Sequence, residues 1–245
     1  VNLTPPTAAD FRKAVRRHPM GIQTLEITKM RLSMKMNKKN LWLAIVPILL
    51  FAILAVCIHA NVITHFEGWA YSETVEHMSP VLTSAMKGIT RIGDPITVIL
   101  FCFIIFLVPK WRKTVAMPVS AAVILSAAVD VVLKRIFARS RPNILRLISE
   151  VGYSFPSGHA MINASFYVML ILMAFHYMKN FRKKLSFSLL CAGMAGLIGF
   201  SRVYLGVHYA GDVLGGWLFG FAIAVLVYTL WKNRKPLPQS GSADQ

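Results

Sequence analysis

The sequence predicts an all-α integral membrane protein, a bundle of six transmembrane helices. Of its 245 residues 56% are hydrophobic, and the mean hydropathy is +0.56. The apolar residues gather in runs of 15 to 20 rather than in amphipathic stripes, as in chains that cross a bilayer several times. The formal charge of +17 sits in short clusters between those runs, not on one face or tail, so it fits the positive-inside rule and argues against nucleic-acid binding.

In chain order, the stretch 1–33 is polar, begins with Val1 and holds no spanning run. It reads as foreign to the natural product, with Met34 or Met36 as the natural start. Residues 1–40 form a cytoplasmic N-terminal segment, 41–231 the membrane domain and 232–245 a cytoplasmic tail. Spans are expected at 41–60, 95–109, 114–133, 160–177, 185–200 and 213–231. Lys38-Lys39 before the first run also mimics a signal peptide, and Leu54-Ala55-Val56-Cys57 a lipoprotein cleavage site. Val56 is a poor residue there, and retention of the span is preferred. The segment 61–94 is too polar to span. Val75, Met78, Val81, Leu82, Met86 and Ile89 recur within it at near-helical spacing, predicting an amphipathic helix on the outer interface that covers the bundle and borders a lipid entrance. Cys57, Cys102 and Cys191 lie in separate runs without metal-ligand spacing and read as small core or membrane-facing residues.

Six spans put both termini on one side. Of 27 basic residues, nine precede the first span, three lie at 110–113, four at 179–184 and three follow the last span, 19 on one face. That face is expected to be cytoplasmic.

The remaining basic residues concentrate on the other face, where they need an anionic partner. Lys134 and Arg141 flank the third span, with Arg135 and Arg139 between them and Pro142 stopping any helix after Arg141. A snorkelling anchor is the plain alternative. Pro156, Ser157, Gly158 and His159 lead into the fourth span. They form a turn at a helix start where free N–H groups and the Ser157 hydroxyl can grip phosphate oxygens and Gly158 admits close approach. A capped Pro-Gly turn would explain three of these residues but not the histidine. Ser201-Arg202 closes the fifth span. His208 and Asp212, four apart at the entry to the sixth, share a face if this piece is helical, so that Asp212 can hold the His208 tautomer. Asp130, one turn before Lys134, reads as a structural partner for Lys134 or Arg135. The role of Glu150 is left open, and Tyr204 and Tyr209 are candidates to line an entrance.

Lys134-x6-Arg141-Pro142, Pro156-Ser157-Gly158-His159 and Ser201-Arg202-x5-His208-x3-Asp212 resemble, in order and separation, the three signatures of the type 2 phosphatidic acid phosphatase (PAP2) superfamily. The resemblance covers about residues 94–231. That family also includes soluble haloperoxidases and glucose-6-phosphatase. The six-span pattern is similar to its bacterial membrane branch, which acts on phosphatidylglycerophosphate or undecaprenyl pyrophosphate. The resemblance implies catalytic roles for His208 as nucleophile, Asp212 as its orienter and His159 as acid and base. Lys134, Arg141, Ser157, Gly158 and Arg202 would bind phosphate. It implies no cofactor and no metal, and a phosphorylated lipid as partner of a plasma-membrane enzyme, while the count of basic residues puts the motifs at the outer face. Two other readings are a transporter using the charges as a substrate path, and a phospholipid-binding protein without hydrolysis. The motifs see mainly the phosphoryl group, so they do not separate phosphatidylglycerophosphate, undecaprenyl pyrophosphate and phosphatidic acid, and they do not encode the oligomeric state.

Overall fold

The computed structural model describes residues 38–233. The expected extension at 1–33 and all but the first two residues of the expected tail lie outside that range. Among the described residues there are eight α-helices and no strand: α1 (Lys38–His59), α2 (Thr64–Glu76), α3 (Pro80–Ile92), α4 (Pro95–Leu107), α5 (Met117–Phe137), α6 (Gly158–Tyr177), α7 (Phe181–Tyr204) and α8 (Ala210–Lys232). A 3₁₀ turn (Pro109–Trp111) and a π-helical turn (Arg112–Ala116) lead into α5.

Five spans qualify by length and apolarity, α1, α5 with its leading turns, α6, α7 and α8, and a sixth if α3 and α4 count as one path bent by 52°. The expected second span is thereby corrected. With 13 residues α4 reaches only about 20 Å, short of a hydrocarbon core of about 30 Å, and it spans only in series with α3. The bend lies at Gly93-Asp94-Pro95, where the proline lacks the N–H that a continuous helix needs. The expected interfacial helix is likewise two. Ser79 accepts a hydrogen bond from the Leu82 amide (3.2 Å) as the N-cap of α3, with Pro80 at its first position, so the apolar periodicity runs across a break. Met78, Leu82 and Ile89 pack with Met86 against Tyr204, Leu205 and Val207.

α6 is the central helix: 67% of its apolar window is buried inside the protein, against 17% for α1. Its sequence is apolar or small on every side, as a helix enclosed by neighbours requires. α8 lies against it through Gly216 and Gly220. A methyl group at Gly216 would stand 2.6 Å from the Ser157 carbonyl oxygen, so only glycine admits this approach. Ser165 on α6 donates to the Gly220 carbonyl (2.8 Å) and pairs with Ser126 on α5. Phe51, Phe137, Phe155 and Phe219 interlock α1, α5, α8 and the segment before α6. Residues 138–157 carry no regular element but are tied down, Leu147 N–H to Leu205 O (3.0 Å) and Ser154 N–H to Arg139 O (2.8 Å). Segments this long without structure of their own are commonly functional.

Candidate active site

The three motif segments meet at one end of the bundle. α5 ends at Phe137 because Ala138 turns left-handed (φ 44°), its N–H returning to Lys134 O at 2.9 Å. The helix therefore stops before Arg139, four residues past the expected span end at 133 and short of the limit set by Pro142. The non-helical backbone that follows sends Arg139 and Arg141 to different partners. α6 opens at Gly158 with Ser157 as N-cap, and α8 opens at Ala210 just after His208.

Each segment touches the other two. Lys134 Nζ donates to Asp130 Oδ2 (2.9 Å), and a methyl group at Gly158 would lie 2.8 Å from that carboxylate oxygen and 3.0 Å from Nζ, so the glycine seats the pair. This bears out Asp130 as the structural partner of Lys134. The Ser157 N–H donates to the Asp212 carbonyl (2.9 Å), joining the starts of α6 and α8. Arg141 Nη1 lies 3.1 Å from His208 Nε2, and the guanidinium is otherwise fixed by the carbonyls of Val151, Gly152 and Val207, each at 3.0 Å.

His208 and Asp212 come together although His208 precedes the helix: Nδ1 is 3.5 Å from Asp212 Oδ2, and both side chains are buried. Ser154 donates to the same Oδ2, the Tyr209 N–H does so at 2.9 Å, and Arg139 Nη1 reaches Oδ1 at 2.6 Å. With Arg141 donating to Nε2, the imidazole is a neutral ring with its proton on Nδ1 and a lone pair on Nε2. Its pKa is lowered to about 4, by burial first and then by the nearby Arg141 and Arg202, against the pull of Asp212. Above that pH Nε2 carries a lone pair.

Arg202 is buried. It donates to Thr90 Oγ1 (2.6 Å) and to Glu150, which also lies 4.0 Å from Arg141. Burial would raise the Glu150 carboxyl, but the charge of Arg202 outweighs it and holds the group below its usual range. His159 faces Asp94 at the start of α4, with Nε2 2.7 Å from Oδ1. Two buried donors of this cluster, Ser157 Oγ and Arg202 Nε, have no hydrogen-bond partner. Such groups are costly to leave unpaired, about 1–3 kcal/mol each. A phosphoryl group, all acceptors and negative charge, supplies what both lack.

Residues 115–236 match the PAP2 superfamily, and phosphatidylglycerophosphatase B of Bacillus subtilis is 34% identical over 185 residues, covering 73% of this chain and 90% of that one. The chain belongs to the PAP2 superfamily. A crystal structure of a transmembrane PAP2-type phosphatidylglycerolphosphate phosphatase from Bacillus subtilis superposes with a TM-score of 0.71 at 30% identity, over 79% of this chain and 98% of that one. An undecaprenyl-diphosphatase of Sulfolobus acidocaldarius is 30% identical over 138 residues, 54% of this chain and 60% of the relative. With this PAP2 membership and its apolar helices, the chain is a membrane lipid phosphatase.

All eight motif residues expected in the PAP2 site lie in this cluster, though His159 bonds to Asp94 and not to His208 or Asp212. Sequence reasoning gave no role to Ser154, Glu67 or Asp94, whose partners are remote in the chain, and read Arg139 only as added charge. Tyr204 is not an entrance residue in the expected sense. Its ring is buried and its hydroxyl bonds Thr83 Oγ1 (3.0 Å), fastening α3 to α7. Tyr209 carries the Arg139 guanidinium on its ring face at 4.2 Å.

Proposed function

We propose that the enzyme removes phosphate from a lipid phosphomonoester or diphosphate of the phosphatidylglycerophosphate or undecaprenyl diphosphate kind, through a phosphohistidine. His208 Nε2 attacks phosphorus. As the N–P bond forms, the bond to the lipid oxygen breaks, and His159 gives that oxygen a proton. Water, deprotonated by His159, then attacks phosphorus, the N–P bond breaks, and inorganic phosphate leaves. Asp212 holds the Nδ1 proton throughout. Arg141, Arg202, Lys134, the Ser157 hydroxyl and the amides at Gly158 stabilise the equatorial oxygens, the main demand of phosphoryl transfer.

The observation that carries this reading is the pair of unpartnered donors, Ser157 Oγ and Arg202 Nε, in the cluster that fixes the His208 lone pair. The names of the relatives support the substrate class. The charge count supports an active site at the outer face of the plasma membrane with both termini cytoplasmic, so the lipid would be drawn from the outer leaflet. His208→Ala should abolish phosphate release from purified lipid while the protein stays folded, and radiolabelled phosphate trapped by alkaline quench in the parent enzyme should be missing from the variant. Substantial turnover by folded His208→Ala would refute the covalent route.

A further inference from the structure

Arg139 has the charge of a phosphate ligand, but its contacts point elsewhere. Nη1 bonds Asp212 Oδ1 at 2.6 Å and Glu67 Oε1 at 3.0 Å, and Nη2 bonds Glu67 Oε2 at 2.6 Å. Its flat face rests on Tyr209. Burial alone would lower the Arg139 pKa, but the hydrogen bonds and charges of Glu67 and Asp212 raise it, so the cation is firmly held.

Glu67 is the unusual member. Only it and Thr74 are buried on α2, so this helix docks through a carboxylate rather than an apolar stripe. The carboxylate lies over the first turn of α8, where a methyl group at Gly211 would stand 2.5 Å from Oε1. A helix N-terminus favours an anion there. A buried charge is retained only when paired, and this pair has a two-pronged geometry with one remaining prong on Asp212.

We propose that Arg139 and Glu67 are positioning residues for the nucleophile: Glu67 aims Arg139, Arg139 fixes Asp212 Oδ1, and the opposite oxygen of Asp212 is thereby aligned with His208 Nδ1. α2 becomes part of the catalytic apparatus. This rests on the reading of Asp212 as the orienter of His208.

The test compares Arg139→Ala, Arg139→Lys, Glu67→Gln and Asp212→Asn, with Arg139→Ala also placed on Asp212→Asn, in full-length protein, measuring kcat, KM, inhibition by inorganic phosphate and melting temperature. Loss of an orienting partner in comparable sites costs about 10–100-fold in activity. Arg139→Ala should lower kcat about a hundredfold, and Arg139→Lys and Glu67→Gln about tenfold. KM and phosphate inhibition should stay within about twofold of the parent. On Asp212→Asn, Arg139→Ala should add less than about twofold, because both act through one group. Phosphate inhibition weakening in step with kcat would make Arg139 a ligand and overturn the proposal. So would a fully additive loss on Asp212→Asn, or a melting drop in all three single variants at Arg139 and Glu67 with kcat per folded molecule unchanged. If Asp212→Asn itself keeps the parent kcat, the underlying reading fails and the proposal with it, whereas an impaired Asp212→Asn with additive Arg139→Ala sinks the proposal alone.

Discussion

The site contains two histidine–aspartate pairs built in opposite ways. His208 and Asp212 are four residues apart, both buried, and separated by 3.5 Å, with three further donors converging on the carboxylate. His159 and Asp94 are 65 residues apart, meet at 2.7 Å, and sit where Asp94 keeps 43% of its side chain exposed. In the first pair the carboxylate is shared with Arg139 and Ser154, and burial, helped by the charges of Arg141 and Arg202, keeps His208 neutral. In the second, one carboxylate serves one imidazole. A neutral ring is what a nucleophile requires, and the His159–Asp94 pair at the rim suits the proton-transfer role proposed for His159.

The largest expected difference between the pairs lies in their histidines. After His208→Ala, His159→Ala should be the most damaging change, lowering kcat by about 10²–10⁴-fold, the usual worth of a general acid. With a lipid analogue whose leaving group needs no proton, His159→Ala should recover most of its rate while His208→Ala stays inactive. Equal losses on both substrates would erase the distinction between the pairs.

A smaller effect separates the carboxylates. Asp94→Asn should lower kcat about tenfold, because it leaves the imidazole in place and removes only its partner. Asp212→Asn should cost considerably more, since it frees the nucleophile to adopt the wrong tautomer. A reversed ranking would move the orienting role to the rim.

The pH profile sharpens the contrast further. His208 is lowered from 6.5 to about 4, so its neutral form persists on acidification until the pH nears 4. The acid limb of kcat/KM, corrected for ionisation of the lipid phosphate measured separately, should therefore fall below pH 6.5. The same shift makes the fold lose stability as the pH drops from 6.5 through 4, because the unfolded chain takes up the proton first. His208→Ala should flatten that dependence in melting experiments. An acid limb of free enzyme at 6.5 or above would contradict a neutral buried ring.

The smallest perturbation leaves activity alone and asks which way both pairs face. In a background lacking Cys57, Cys102 and Cys191, a cysteine at Val151, beside the site, should react with an impermeant thiol reagent from outside the cell. One at Asn180, the N-cap of α7, should not. The reverse pattern would overturn the outer-leaflet substrate pool.

Contacts within a motif were legible from spacing, and contacts between distant segments were not. His208 and Asp212 could be paired from their separation, and Ser157 and Gly158 from the turn they make at a helix start. Asp94 could be read as a charge before a span, but nothing local says that it faces His159. Nothing local marks Glu67 either, because an amphipathic pattern credits a helix with burying its apolar side. α2 buries Glu67 and Thr74 while Phe66 and Trp69 remain exposed. The second span was read too simply for a related reason: hydropathy marks 95–109 as apolar, whereas α4 alone is too short to span and joins α3 only through a 52° bend at Gly93-Asp94-Pro95.

The contact of α8 with α6 carries a further consequence. The Ser157 carbonyl rests against Gly216 and the Ser157 amide is held by the Asp212 carbonyl, so the turn proposed to grip phosphate and the helix that follows the proposed nucleophile share one mechanical datum. Errors in helix spacing are transmitted to the reacting atoms undiminished, and phosphoryl transfer tolerates about an ångström at most. A single added methyl at Gly216, on a residue that never meets substrate, would throw the two halves of the site out of calibration. In this enzyme the tolerances of the chemistry are machined into a bare patch of backbone.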